Sequence, residues 1–170
     1  MRVLLLALVP LAAVAQPAAP VLQFDVGIGI GSARESDDGF AAAMATASVR
    51  SGWATGQVRG QTAALLFGSS RWEVAGLVGP TLAGPVGRAF VGAGLGVAGG
   101  EEAPGGPCPG FGVLCGSRGR EALDRVVGLA LAAEGAVRVR SGVWLALRGD
   151  ANVNGPRTLT GGSVGVRVGF

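Results

Sequence analysis

Residues 163–170 read SVGVRVGF. Val164, Val166, Val168 and Phe170 stand two apart, with Gly165, Arg167 and Gly169 between them. In an extended chain successive side chains point to opposite faces, so the first set lines one face and the second set the other. One face is apolar and ends in an aromatic ring. The other is nearly bare except for one guanidinium. The same pattern returns near the other end, where Leu22, Phe24, Val26, Ile28 and Ile30 alternate with Gln23, Asp25, Gly27, Gly29 and Gly31. In 143–153, Val143, Leu145, Leu147, Ala151 and Val153 are interleaved with Trp144, Arg148, Asp150 and Asn152. In 88–98, Ala89, Val91, Ala93, Leu95 and Val97 alternate with Arg88, Phe90, Gly92, Gly94 and Gly96. Period-two patterning of this kind indicates strands with one apolar face and one polar or small face.

The breakers between runs agree. A polar stretch SARESDDG occupies 32–39, a Gly/Pro-rich stretch occupies 100–120, and NGPRTLTGG occupies 154–162. Val49-Arg50-Ser51-Gly52 and Val139-Arg140-Ser141-Gly142 repeat one tight-turn signal. Eight runs lie between breakers, at about 21–31, 40–49, 54–66, 71–82, 87–99, 122–140, 143–153 and 162–170, with boundaries good to two to four residues. If they run up and down in order, 32–39, 67–70, 100–120 and 154–161 fall at one end. The two Ser-Gly turns, Ala83-Gly84-Pro85 and both ends of the chain fall at the other. Long connections at one end and short turns at the other is the asymmetry of membrane-spanning barrels. The expected fold is all-β, an eight-stranded antiparallel up-and-down transmembrane β-barrel over 21–170 with a long loop at 100–120. Segment 122–140 keeps a second reading. Its Ala, Leu and Glu favour helix, and a helix would place Glu134 on one face with Leu123, Val127 and Ala130.

The charges follow the same phase. Asp25, Arg88, Glu134, Arg138, Arg148, Asp150 and Arg167 stand opposite their runs' large aliphatics, and Arg59 and Gln61 do so against Val58, Gly60 and Leu66. An Arg facing lipid near the midplane costs roughly 2–4 kcal/mol. These groups are therefore expected inward as a lumen ion-pair network, with Glu134 and Asp150 against Arg138 and Arg148. The alternation by itself also suits the solvated face of an exported soluble β-sandwich or lipocalin-like carrier. A carrier, however, needs large apolar residues in the inner phase, and here that phase is Gly, Ala and charge.

Residues 1–15, MRVLLLALVPLAAVA, read as an export signal. Arg2 is the positive region, an apolar run follows, and Ala13-Val14-Ala15 is a small-x-small cleavage site before the short segment 16–20. Pro10 and the short length argue against a spanning helix. In an exported chain the two cysteines, Cys108 and Cys115, are expected to form a disulfide at a loop tip, stabilising by roughly 2.5 kcal/mol in the chain-entropy model. The chain of 170 residues is 49% hydrophobic and 15% charged, with 32 glycines, no His and no Tyr, and all 14 basic residues are Arg. That is too apolar for ordinary disorder, and it excludes every imidazole-based mechanism and His-bound zinc. Without Arg2 the charge is near +2, which is not a nucleic-acid signature.

Three other motifs are discounted. FDVGIGIGSARES lacks the third Gly or Ala of a dinucleotide loop, since Ser32 stands there, and no βαβ unit follows. Asp37-Asp38 and Glu101-Glu102 lack a six-oxygen calcium set. Glu134 and Asp150, as an acid/base pair, are more simply lumen ion-pair partners. No cofactor, metal or catalytic residue is expected.

With the terminal SVGVRVGF, the export signal and eight runs, the chain resembles the small bacterial outer-membrane β-barrel proteins of the OmpA/OmpX type. The resemblance implies that Val164, Val166, Val168 and Phe170 form a signal read by the barrel assembly machinery during insertion. It implies contact with outer-membrane lipid, a monomer, a surface ligand bound through the loops and no nucleic acid. An envelope-structural or adhesion role without enzymatic activity is expected, with a lipid-modifying barrel enzyme as the alternative from another class. The sequence departs from the pattern in two places. Without Tyr, the aromatic girdles are thin, and the second run offers lipid only Ala41, Ala43, Ala45, Ala47 and Val49.

Overall fold

The computed structural model describes residues 22–35, 38–64, 69–102, 121–155 and 157–170. The export signal 1–15, segment 16–20 and the cysteines Cys108 and Cys115 lie outside the described residues. Eight strands follow in order: β1 (Leu22–Glu35), β2 (Asp38–Ser51), β3 (Ala54–Ala64), β4 (Ser70–Ala83), β5 (Gly87–Glu102), β6 (Glu121–Arg140), β7 (Val143–Val153) and β8 (Leu159–Gly169). Each pairs antiparallel with the next, and β1 pairs with β8, so the sheet closes into a barrel with no free edge. Closure satisfies every ladder internally, which a sheet surrounded by hydrocarbon requires.

The two-residue phase sets what faces out. Leu22, Phe24, Val26, Ile28 and Ile30 of β1 are exposed, as are Val164, Val166 and Val168 of β8. Asp25, Arg59, Glu73, Glu134, Arg148, Asn152 and Arg167 are buried. The fold is thus a soluble protein turned inside out. Among the described residues 26 large apolar side chains stand exposed around the wall, far beyond the patch a monomer in water shows.

Turns at one end are tight. Gly52 and Gly142 adopt φ of 59° and 72°, a left-handed conformation that side chains with a Cβ disfavour. Those turns and residues 84–86 close one end, and Glu35, Ala64, Glu102 and Val153 finish their strands at the other.

Two expectations change. The polar stretch 32–39 is mostly strand, because backbone pairing continues through Ser32↔Ala41, Ala33↔Phe40, Arg34↔Gly39 and Glu35↔Asp38. Strands that outrun the apolar belt can carry polar residues without losing their ladder. The helical reading of 122–140 is also overturned. β6 pairs with β5 on one side and β7 on the other, with Leu129 and Leu131 outward and Ala130 and Ala132 inward. Two neighbouring ladders outweigh helix propensities of a few tenths of a kcal/mol per residue.

Candidate functional site

The interior is filled. Small inward residues admit long charged ones: a Cβ at Gly27 would sit 2.8 Å from Arg167 Cγ, and one at Gly96 would sit 2.7 Å from Asn152 Nδ2. Two apolar clusters share the lumen, Ala33, Phe40, Ala63 and Leu159 towards the loop end and Ala75, Leu77, Phe90, Ala130 and Ala132 on the β4–β6 side. The hollow beside Glu134, Arg148 and Arg167 measures about 20 Å³. The hollow of about 830 Å³ edged by Ile28, Ala43, Ala45, Gly60 and Val74 lies instead among outward side chains.

At mid-height the charges form one connected group. Arg167 Nη1 donates to Glu134 Oε1 at 2.6 Å and Oε2 at 2.7 Å, and its Nη2 donates to Ser48 Oγ at 2.6 Å. Arg148 Nη1 lies 3.5 Å from Glu134 Oε2, and its Nε lies 3.9 Å from Asp150 Oδ1. Arg59 pairs with Glu73 and lies 3.3 Å from Asp150 Oδ2. Asn152 Nδ2 donates to Glu73 Oε1 at 3.3 Å. Three guanidiniums thus face three carboxylates, so this layer is neutral. Both oxygens of Glu134 are engaged by arginines.

The ends differ from the middle and from each other. At the loop end Arg71 pairs with Glu35, donates through Nη1 to the Ser70 and Glu101 carbonyls at 3.1 Å each, and lies 5.4 Å from the Phe40 ring centre. Asn154 Oδ1 accepts from the Arg157 N–H at 2.7 Å, fixing the turn into β8. At the short-turn end Arg88 Nη1 donates to Asp25 Oδ1 at 2.8 Å.

Of the eight residues expected in the lumen network, seven sit in ion pairs inside the barrel: Asp25, Arg59, Arg88, Glu134, Arg148, Asp150 and Arg167. Arg138 does not join them. It is exposed at the short-turn end, its guanidinium 5.9 Å from the Trp144 ring centre. Four residues of strand, roughly 13 Å, separate it from Glu134, which lies directly across from Arg148 in the β6–β7 register. Glu73, Arg71, Glu35, Ser48 and Asn152 were missed. Ser48, Arg71, Glu73 and Asn152 stand in the inward phase of their strands, so the phase would have found them, whereas Glu35 lies in a polar stretch that reads as loop. The partner of each would not follow, because Arg59–Asp150 and Arg167–Ser48 join strands distant in sequence. Val164, Val166 and Val168 of β8 face outward and are exposed, as is Phe170 just after it.

No family model matches the sequence, and no curated protein matches it. Solved structures do. Neisserial surface protein A aligns with a TM-score of 0.63 at 14% identity, over 88% of this chain and 97% of its own. Ail, the attachment invasion locus protein of Yersinia pestis, aligns with a TM-score of 0.59 at 9% identity, over 90% of this chain and all of its own. The outer membrane protein OprG from Pseudomonas aeruginosa gives 0.59 at 9% identity, over 90% and 98%. A structure of Ail in complex with the heparin analogue sucrose octasulfate is similar as well. These likenesses show the fold, that of the small eight-stranded outer-membrane barrels of the OmpA/OmpX type.

Proposed function

We propose that this chain, which has the fold of the small outer-membrane barrels, is a non-enzymatic integral protein of the bacterial outer membrane. Its loops carry an envelope-structural or surface-adhesion role. One observation supports this most: an apolar outer wall encloses a lumen packed with paired charges. Burying each outward Leu or Ile in lipid stabilises by roughly 1.5–3 kcal/mol, which water cannot supply. Eight strands leave an interior that side chains fill, so variable chemistry belongs to the loops. Against an enzyme stand the absence of His and lumen carboxylates already engaged by arginines. Against a lipocalin-like carrier stands a lumen packed with paired charges, Gly and Ala, in which Phe40, Leu77, Phe90 and Leu159 are buried in two small clusters.

In this reading residues 1–15 direct export, and Val164, Val166, Val168 and Phe170 engage the assembly machinery. The barrel stands as a monomer in outer-membrane lipid. The segment 103–120, closed by a Cys108–Cys115 disulfide, is the chief contact for a surface ligand, and nucleic acid is not a partner. Ail with its bound heparin analogue makes polysulfated glycans the first ligand class to try. Cells displaying the protein should adhere to a heparin-coated surface, and replacing 105–117 by a short Gly-Ser linker should abolish adherence while the barrel still folds. Adherence unchanged by that replacement would remove the loop role.

A further inference from the structure

At the short-turn end the charge balance of the lumen breaks down. Arg50, Arg88, Arg138 and Arg140 gather at the ends of β2, β5 and β6, and Asp25 is the one carboxylate side chain at that end among the described residues. Among the described residues, Asp25 Oδ1 accepts from Arg88 Nη1, and Arg88 Nη2 is buried without a hydrogen-bond partner. Arg50 donates to the neutral amide of Gln23, and it is repelled by Arg88 and attracted by Asp25. The Trp144 indole has the Arg88 guanidinium 4.9 Å and the Arg138 guanidinium 5.9 Å from its ring centre. A ring quadrupole attracts cations but does not neutralise them. In the mid-height layer three guanidiniums meet three carboxylates, and at the loop end Arg71 meets Glu35. At the short-turn end like charges converge and repel one another.

The missing charge has a definite chemistry. Guanidinium forks match the oxygens of phosphate and hold it by charge-assisted hydrogen bonds. We propose that the short-turn mouth of the barrel is an oxyanion site, taking a phosphate group among Arg50, Arg88 and Arg138 with Trp144 as its floor. Exposed Arg138 and half-buried Arg50 meet the anion first, and Arg140 at the end of β6 adds to the attractive field. Trp53, Val86, Val139 and Phe170 are exposed around the same end, where aromatic and apolar anchors sit at headgroup level. The phosphate therefore comes either from a lipid headgroup or from a small phosphate ester in solution.

The test uses the folded chain in an uncharged maltoside detergent at fixed ionic strength. Calorimetric titrations are run with glycerol 3-phosphate and with dihexanoyl phosphatidic acid. Saturable binding is expected, weakened about tenfold by Arg138→Gln or Arg50→Gln and unchanged by Arg125→Gln at the far end. Equal binding of the two probes assigns a soluble phosphate ester, and binding of the lipid alone assigns a headgroup; both carry the site. A heat-dependent gel shift verifies that each variant is folded. Failure of both probes to bind the folded wild type would overturn the proposal. So would binding that survives both substitutions undiminished.

Discussion

Arg167 and Arg148 share one carboxylate and are held very differently. Arg167 makes contacts of 2.6 and 2.7 Å to Glu134 and a third to Ser48, whereas Arg148 approaches its two acids only to 3.5 and 3.9 Å. Removing one member of a buried pair leaves the other charge uncompensated and costs roughly 3–5 kcal/mol. Arg167→Leu should therefore lower the unfolding free energy in urea by about that amount. Arg148→Leu should cost less, and Arg138→Leu close to nothing. A gain in stability for Arg148→Leu would mean that its side chain faces lipid. At this scale the sequence was legible in direction and illegible in partnership. Phase alone sends Arg148 and Asp150 inward. It says nothing of Arg59 meeting Asp150 from the opposite wall, because that contact depends on barrel closure and stagger.

Strands taken singly show where patterning ends. Inside the apolar belt, alternation between lipid and lumen is obligatory, so β1, β5, β7 and β8 could be read from sequence. Beyond the belt only the backbone ladder persists, and Ser32, Arg34 and Glu35 read as loop although they pair with β2. β6 was ambiguous for another reason: its Ala and Leu satisfy a helical propensity that only its two neighbours overrule. β8 carries the assembly proposal. The Phe170 ring is exposed, and only its backbone is fastened, with its N–H donating to the Phe24 carbonyl at 2.8 Å. Deleting Phe170 should thus reduce the yield of membrane-inserted protein several-fold while changing the urea midpoint of the inserted fraction little. Unchanged insertion would argue against a terminal signal.

The whole molecule is a wall and a filling of opposite polarity. Its many glycines belong to that division, since several in the inward phase leave room for arginines and their acids. The charge along the axis is uneven as well, neutral in the middle and positive at the short-turn mouth, which ties the lumen chemistry to the membrane face where the oxyanion site is proposed. What the loops bind was not legible, because loop chemistry is free of the constraints that the ladder and lipid place on the strands. The central claim is that this closed barrel resides in lipid. The direct measurement is fractionation of expressing cells, a carbonate wash, and electrophoresis of the membrane fraction with and without boiling. The account predicts protein retained through the wash, with unboiled and boiled bands of different mobility. Complete release by carbonate, with one band regardless of heating, would contradict it.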